Sequence, residues 1–153
     1  MDGKSFSMGF TVKQSADEVF AAVNNVTGWW TENLEGNSDH LRAEFSVRFG
    51  TVHYSRQRIT AFEQGKKISW LIIDSKLSFV ADQQEWNGTT IHFDIDTIED
   101  KTELRFTHEG LLPDIECYNG CSNAWGGYIR DSLKRLIETG KGTPALKAEP
   151  IVG

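Results

Sequence analysis

Hydrophobic and polar positions alternate along much of this chain, which is the pattern of strands with one buried face. The first alternating segment runs from Phe6 to Val12. Between residues 41 and 110, similar segments are separated by glycine-containing turns such as Asn87-Gly88, which predicts an antiparallel meander. The predicted strands lie at about 43–49, 51–62, 68–73, 91–96 and 104–109, with residues 75–79 irregular. The pattern therefore predicts an N-terminal strand and at most about six more.

Two short helical segments are expected directly after the first strand. Ser15 and Glu18 have the spacing of a capping box, in which each side chain bonds the other residue's backbone N–H. The helix that follows buries its apolar side and is expected to fray at Asn24. Residues 26–34 predict a second short helix or a tight loop closed by Gly36.

The end of the chain carries the clearest helical pattern. Apolar residues recur there at three- and four-residue spacing: Cys121, Ala124, Trp125, Tyr128, Ile129, Leu133, Leu136 and Ile137. Gly140 has the position of a left-handed C-cap, and Pro144 prevents continuation of the helix. We expect one domain over residues 1–144 and a loose tail over residues 145–153.

This order of elements predicts an α+β fold in which a curved antiparallel sheet wraps one long helix. A helix of about 18 residues is roughly 27 Å long and must bury its apolar stripe against the sheet. One helix is too narrow to fill the width of a twisted sheet of six or seven strands, so bulky side chains or a ligand must fill the rest. We therefore expect an apolar cavity between the sheet and the C-terminal helix.

Composition narrows the function classes. The net charge is −6, and no basic run exceeds two residues, which argues against a nucleic-acid partner. No apolar stretch resembles a signal peptide or a membrane span, so we expect a cytoplasmic protein without membrane insertion. Five Trp and nine Phe are many for 153 residues and fit either a thick core or a cavity wall. We expect a monomer.

Four segments together resemble a known family. They are 28–31 (GWWT), 86–89 (WNGT), 106–111 (FTHEGL) and 139–144 (TGKGTP). Their order and spacing are similar to the START-like (SRPBCC) helix-grip superfamily, in the bacterial branch related to the activator of heat-shock protein 90 ATPase. The resemblance covers residues 6–144 and implies a helix-grip fold with a cavity. It also implies stress-related binding to a heat-shock chaperone as an alternative function, although the co-chaperone has an additional N-terminal domain for which this chain has no room.

His108 is the leading candidate for a polar group in the cavity. Alternation places it on the same strand face as Leu104 and Phe106, where a neutral imidazole could bond a hydroxyl or carbonyl of a ligand. The alternative is a core histidine whose nitrogen bonds a backbone carbonyl at the strand end.

Tyr54 and Arg56 share one face of the long polar strand. If that face is inward, Arg56 could anchor a carboxylate or phosphate. In the other register, His53, Ser55 and Gln57 point inward and Arg56 is solvated, because a slip of one residue exchanges the two faces.

The remaining candidates are aromatic or aliphatic residues. Trp29 and Trp30 form either a lid over the cavity or a plug in the core. The full set of predicted ligand-binding residues is Phe45, Val47, Tyr54, Arg56, Trp70, Phe93, Phe106, His108, Trp125 and Ile129.

No catalytic motif or cofactor signature stands out in the sequence. Cys117, Cys121 and His108 offer three soft ligands, but a fourth zinc ligand is not evident, so we predict no metal site and no cofactor. The leading hypothesis is a binding protein for a small lipophilic molecule of lipid or polyketide type. A cyclase-like or hydrolase-like enzyme using His108 as acid or base is the third possibility.

Overall fold

The computed structural model describes residues 5–49, 53–77, 84, 86–111 and 118–144. Its strands are β1 (Phe6–Val12), β2 (Leu34–Gly36), β3 (Glu44–Phe49), β4 (His53–Glu63), β5 (Lys67–Leu77), β6 (Thr90–Ile98) and β7 (Lys101–Glu109). Two short helices, α1 (Ala16–Asn24) and α2 (Val26–Trp29), follow β1. The predicted tail over residues 145–153 and Cys117 lie outside the described residues.

The seven strands form one antiparallel sheet with the order β1-β7-β6-β5-β4-β3-β2. The chain runs as a meander from β2 to β7, and β1 pairs with β7, where Phe6 is opposite His108 and Val12 is opposite Thr102. The predicted α+β architecture, with two short helices after the first strand and a long helix at the end, is therefore confirmed.

The C-terminal helix lies on the inner face of the sheet and consists of three consecutive segments. These are α3 (Tyr118–Gly126), a π-helical segment (Gly127–Leu133) and α4 (Lys134–Thr139). Gly140 ends the helix with a φ of +86°, and its N–H donates to the Leu136 carbonyl, as the sequence predicted. The π segment was not predicted, because three- and four-residue spacing does not reveal a local widening of the helix.

The local predictions at the start of the chain agree with the structure. The Ser15 hydroxyl accepts from the Glu18 N–H at 3.1 Å, and the Glu18 carboxylate accepts from the Ser15 N–H at 2.9 Å. Two expectations need correction. Residues 34–36 form the edge strand β2 rather than only a loop end, and β5 continues to Leu77 because Ser75 and Leu77 pair with Ser55 and His53 of β4.

Candidate functional site

All five tryptophans form one cluster between the sheet and the helix. The Trp30 ring lies between Trp125 and Trp70, with centroid distances of 5.1 Å and 5.7 Å and nearly parallel planes. Trp29 stacks on Trp30 at 6.0 Å, and Trp86 stacks on Trp125 at 5.9 Å. All five side chains are at most 4% exposed. Aromatic rings therefore occupy much of the width that the helix leaves uncovered.

Trp29 and Trp30 both belong to this cluster and are buried within it, Trp29 as a core plug. The Trp29 indole N–H donates to the Val23 carbonyl at 3.1 Å, which fixes that ring against α1. Trp30 is 2% exposed and also contacts Phe49 of β3 at a centroid distance of 5.5 Å.

His108 is completely buried and bonded through both ring nitrogens. The Trp125 indole N–H donates to His108 Nδ1 at 3.1 Å, so Nδ1 carries no proton. Thr89 Oγ1 donates its proton to the Trp86 carbonyl at 2.6 Å, and it therefore accepts from His108 Nε2 at 2.9 Å. These bonds assign the Nε2–H tautomer. His108 is a core histidine that orients Trp125, and its partners are an indole and a hydroxyl rather than the expected backbone carbonyl.

A partly open pocket of about 260 Å³ lies at one end of the tryptophan cluster. It separates the first turns of the C-terminal helix from β3, β4 and the turn at Trp86. The residues that line it are Trp30, Phe49, His53, Trp86, Gly120, Cys121, Ala124, Trp125 and Tyr128. None of these side chains is an aspartate, glutamate, lysine or arginine.

His53 and Tyr128 remain uncharged in the pocket wall at neutral pH. Burial lowers the pKa of His53 to about 3 and raises the pKa of the Tyr128 hydroxyl, because both charged forms lose hydration. The His53 ring packs edge-on against Trp86 and Phe49, and its Nε2 lies 3.0 Å from Ser55 Oγ. The pocket therefore offers a neutral, mostly aromatic surface.

The same burial effect applies to His108, whose pKa is lowered to about 3. Burial is the main cause, and the nearby imidazoles of His53 and His92 act in the same direction.

The structure places Tyr54 and Arg56 on the outer face of the sheet, away from the pocket. Arg56 is bonded to the Glu44 carboxylate at 3.0 Å, and its side chain is 41% exposed. Arg58 bonds the other oxygen of Glu44 at 2.8 Å, and the two guanidinium groups lower the pKa of that carboxyl. The Tyr54 ring lies 4.5 Å below the Arg48 guanidinium. The inclusion of Tyr54 and Arg56 among the inward residues is thus corrected.

The register of β4 follows from Ile59. This residue is fully buried and opposite Trp70, and Gln57 and Ser55 lie two and four residues before it on the same face. Ile59 is a sequence signal for this register, because an isoleucine is expected to face inward and residues two and four positions before it share its face. This signal competes with the general rule that glutamine and serine face solvent.

The other predicted residues divide between the core and the pocket. Trp125 lines the pocket, whereas seven others are fully buried in the core and are absent from the pocket wall: Phe45, Val47, Trp70, Phe93, Phe106, His108 and Ile129. The predicted set omitted Phe49, Trp86 and Tyr128, because the contacts that bring a hairpin, a turn and a helix together cannot be seen in a local pattern. His53 was inward only in the alternative register, which is the register that the structure has.

Five side chains have buried polar atoms without a hydrogen-bond partner among the described residues. These atoms are the side-chain oxygens of Gln14 and Asn24, both the oxygen and the nitrogen of the Gln57 carboxamide, and the indole nitrogens of Trp70 and Trp86. In the part of the chain that the structure describes, no group of histidine, cysteine, aspartate or glutamate side chains is arranged to hold a metal ion. None of the described helices is both long and apolar enough to cross a membrane.

Comparison with known proteins identifies the fold. No family model and no curated protein sequence matches the chain. Solved structures do match. The Aha1 dimer from Colwellia psychrerythraea has a TM-score of 0.73 at 22% identity, covering 91% of this chain and 99% of that one. MLL2253 from Mesorhizobium loti has a TM-score of 0.69 at 15% identity, covering 88% and 97%. CalU16 from Micromonospora echinospora has a TM-score of 0.64 at 12% identity, covering 90% and 77%.

The chain therefore shares the fold of these three structures, a helix-grip arrangement in which an antiparallel sheet wraps the C-terminal helix. The resemblance carried by the four sequence segments is thus confirmed at the level of the fold. At these identities the likeness concerns the fold alone.

Proposed function

We propose that this protein binds a small, flat, lipophilic molecule in the pocket between α3, Trp86 and the β3–β4 hairpin. The observation that carries the proposal is the pocket wall, in which six aromatic rings, including the His53 imidazole, surround about 260 Å³ and no formally charged group is present. Apolar pockets with few polar groups are the usual sites of small-molecule binding.

The size of the pocket refines the predicted ligand class. Pockets for drug-sized ligands have volumes of roughly 300–1,000 Å³. A volume slightly below this range favours a compact ring system over a long acyl chain or an extended polyketide. Stacking between parallel or edge-on aromatic rings also favours a planar aromatic ligand.

Binding of naphthalene tests this proposal. The indoles of Trp30, Trp86 and Trp125 line the pocket, so a bound aromatic ring should change tryptophan fluorescence in a saturable way. Isothermal titration calorimetry then supplies the stoichiometry, which we expect to be one.

A pocket-filling variant and a matched control make the test specific. Ala124 lines the pocket mouth on α3, whereas Ala21 is exposed on α1. We expect Ala124→Met to weaken naphthalene binding by at least about tenfold, since filling the pocket removes contact area worth on the order of 1.4 kcal/mol. Ala21→Met should bind as the wild type does. Absence of saturable binding, or an equal loss in both variants, would refute the proposal.

A chaperone-linked role draws only on the likeness to the Aha1 dimer. That likeness is one of fold, so the role is a second proposal, tested by co-purification with the cognate heat-shock ATPase and by its rate of ATP hydrolysis. The enzymatic alternative loses its leading residue, because both nitrogens of His108 are engaged within the core.

A further inference from the structure

Gln57 is an unusual residue for the interior of this sheet. It is fully buried, and neither its carboxamide oxygen nor its nitrogen has a partner among the described residues. The Trp70 indole nitrogen is also fully buried and without an acceptor there. Native proteins pair nearly all such groups, so two of them in one place require an explanation.

The strand register brings these two groups together. Gln57 is opposite Ile72, and Ile59 is opposite Trp70, so Gln57 and Trp70 are diagonal neighbours on the same face of β4 and β5. Phe45 connects them from the other side, because it pairs with Gln57 across β3–β4 and its ring lies 5.0 Å from that of Trp70.

A row of polar side chains leads from the pocket to this pair. His53 lines the pocket, its Nε2 lies 3.0 Å from Ser55 Oγ, and Gln57 is the next inward residue of β4. Trp30 connects the pocket with Trp70, because Trp30 lines the pocket and its ring lies 6.3 Å from that of His53 and 5.7 Å from that of Trp70.

The chemistry of the pair specifies what it would bind. Gln57 supplies a donor and an acceptor, and Trp70 supplies a second donor. No lysine or arginine is buried among the described residues, and Arg56 faces outward to Glu44, so an ionised group would be desolvated there without a counter-charge. The complementary group is neutral and both donates and accepts, as an amide or a lactam does.

We propose that Gln57 and Trp70 form the polar end of the ligand site, which a planar lipophile with an amide-like edge reaches when Trp30 turns aside. This inference rests on the proposed function and adds the class of ligand. An amide-containing ligand would give the Gln57 carboxamide and the Trp70 N–H the hydrogen-bond partners that they lack. A ring of the same size without an amide would leave these groups unpaired and should therefore bind more weakly.

The test compares 2-quinolone, a bicyclic lactam, with naphthalene. Their dissociation constants are measured by calorimetry for the wild type, for Gln57→Met and for the surface control Gln64→Met. Methionine has nearly the volume of glutamine, so the variant changes chemistry more than packing. We expect Gln57→Met to reduce the preference for 2-quinolone over naphthalene by about tenfold, while Gln64→Met leaves it unchanged.

A second measurement does not depend on a variant at position 57. In a ¹⁵N correlation spectrum, with the Trp70 indole resonance assigned through Trp70→Phe, 2-quinolone should shift the indole proton of Trp70 downfield and naphthalene should not. An unchanged Trp70 resonance, or an ordered water on Gln57 in a crystal structure with 2-quinolone bound elsewhere, would overturn the inference.

The two proposals fail in different ways. If naphthalene does not bind the wild-type protein, the proposed function is wrong and the inference falls with it. If naphthalene binds but the preference for 2-quinolone is the same in the wild type and Gln57→Met, only the polar end of the site is wrong.

Discussion

Mild acid should destabilise this protein through two histidines. His53 and His108 have pKa values of about 3 in the folded protein, because burial disfavours their charged forms, against an ordinary value of 6.5. Between these limits the unfolded chain binds protons that the folded chain does not. The free energy of unfolding is therefore unaffected by protonation of these two histidines above about pH 6.5, and it decreases as the pH falls from 6.5 towards 3.

The magnitude follows from the same values. From pH 7 to pH 5, protonation of an unfolded imidazole lowers the free energy of the unfolded state by about 2 kcal/mol, whereas the folded imidazole stays neutral. Two such groups give about 4 kcal/mol, which is a large part of the usual 5–15 kcal/mol of domain stability.

Urea denaturation followed by circular dichroism at pH 7 and pH 5 measures this loss. His53→Phe keeps the aromatic contacts with Phe49 and Trp86, and it should reduce the loss between the two pH values by about half. His40 is exposed beside Asp39, and His40→Asn serves as the matched surface control. If His53→Phe and the wild type lose the same free energy of unfolding between pH 7 and pH 5, the conclusion that His53 stays neutral in the folded protein is wrong.

Three further predictions concern stability and are measured by urea denaturation at pH 7. Ser15→Ala removes the capping box and should cost about 1 kcal/mol, and no loss would contradict the capping role. Ser132→Ala removes the buried bond of 2.6 Å to the Trp29 carbonyl and should cost about 1–3 kcal/mol, with a neutral effect as the contrary outcome. Gly126→Ala and Gly127→Ala should each stabilise by about 0.5–1 kcal/mol, since an added Cβ meets at most one side-chain atom, and a loss would show that the π segment requires glycine.

Local patterns were enough to predict most of the fold. The alternation of Phe6 to Val12, the Ser15–Glu18 spacing and Gly140 each involve interactions within a few residues, so the sequence shows them directly. Elements with weaker local signals were not predicted. The strand β2 has only three residues, and its existence depends on pairing with β3.

The candidate site was harder to predict, because its geometry depends on contacts between distant segments. The expectation that bulky side chains or a ligand fill the space beside the helix was sound, but the sequence could not show that Trp30 and Trp86 would stack on Trp125 from two different loops. The inward face of β4 could not be predicted from hydrophobicity either, because Gln57 occupies a buried position that alternation assigns to an apolar residue.

The tryptophan cluster has a consequence for how this sequence can diverge. Each indole is packed against at least one other at a centroid distance of 5.1–6.4 Å, so the shape available to one ring is set by its neighbours. Substitutions at contacting positions are not additive, because each alters the cost of the next. We therefore expect strong epistasis among these five positions, so that homologues that have lost one indole carry compensating changes at the others.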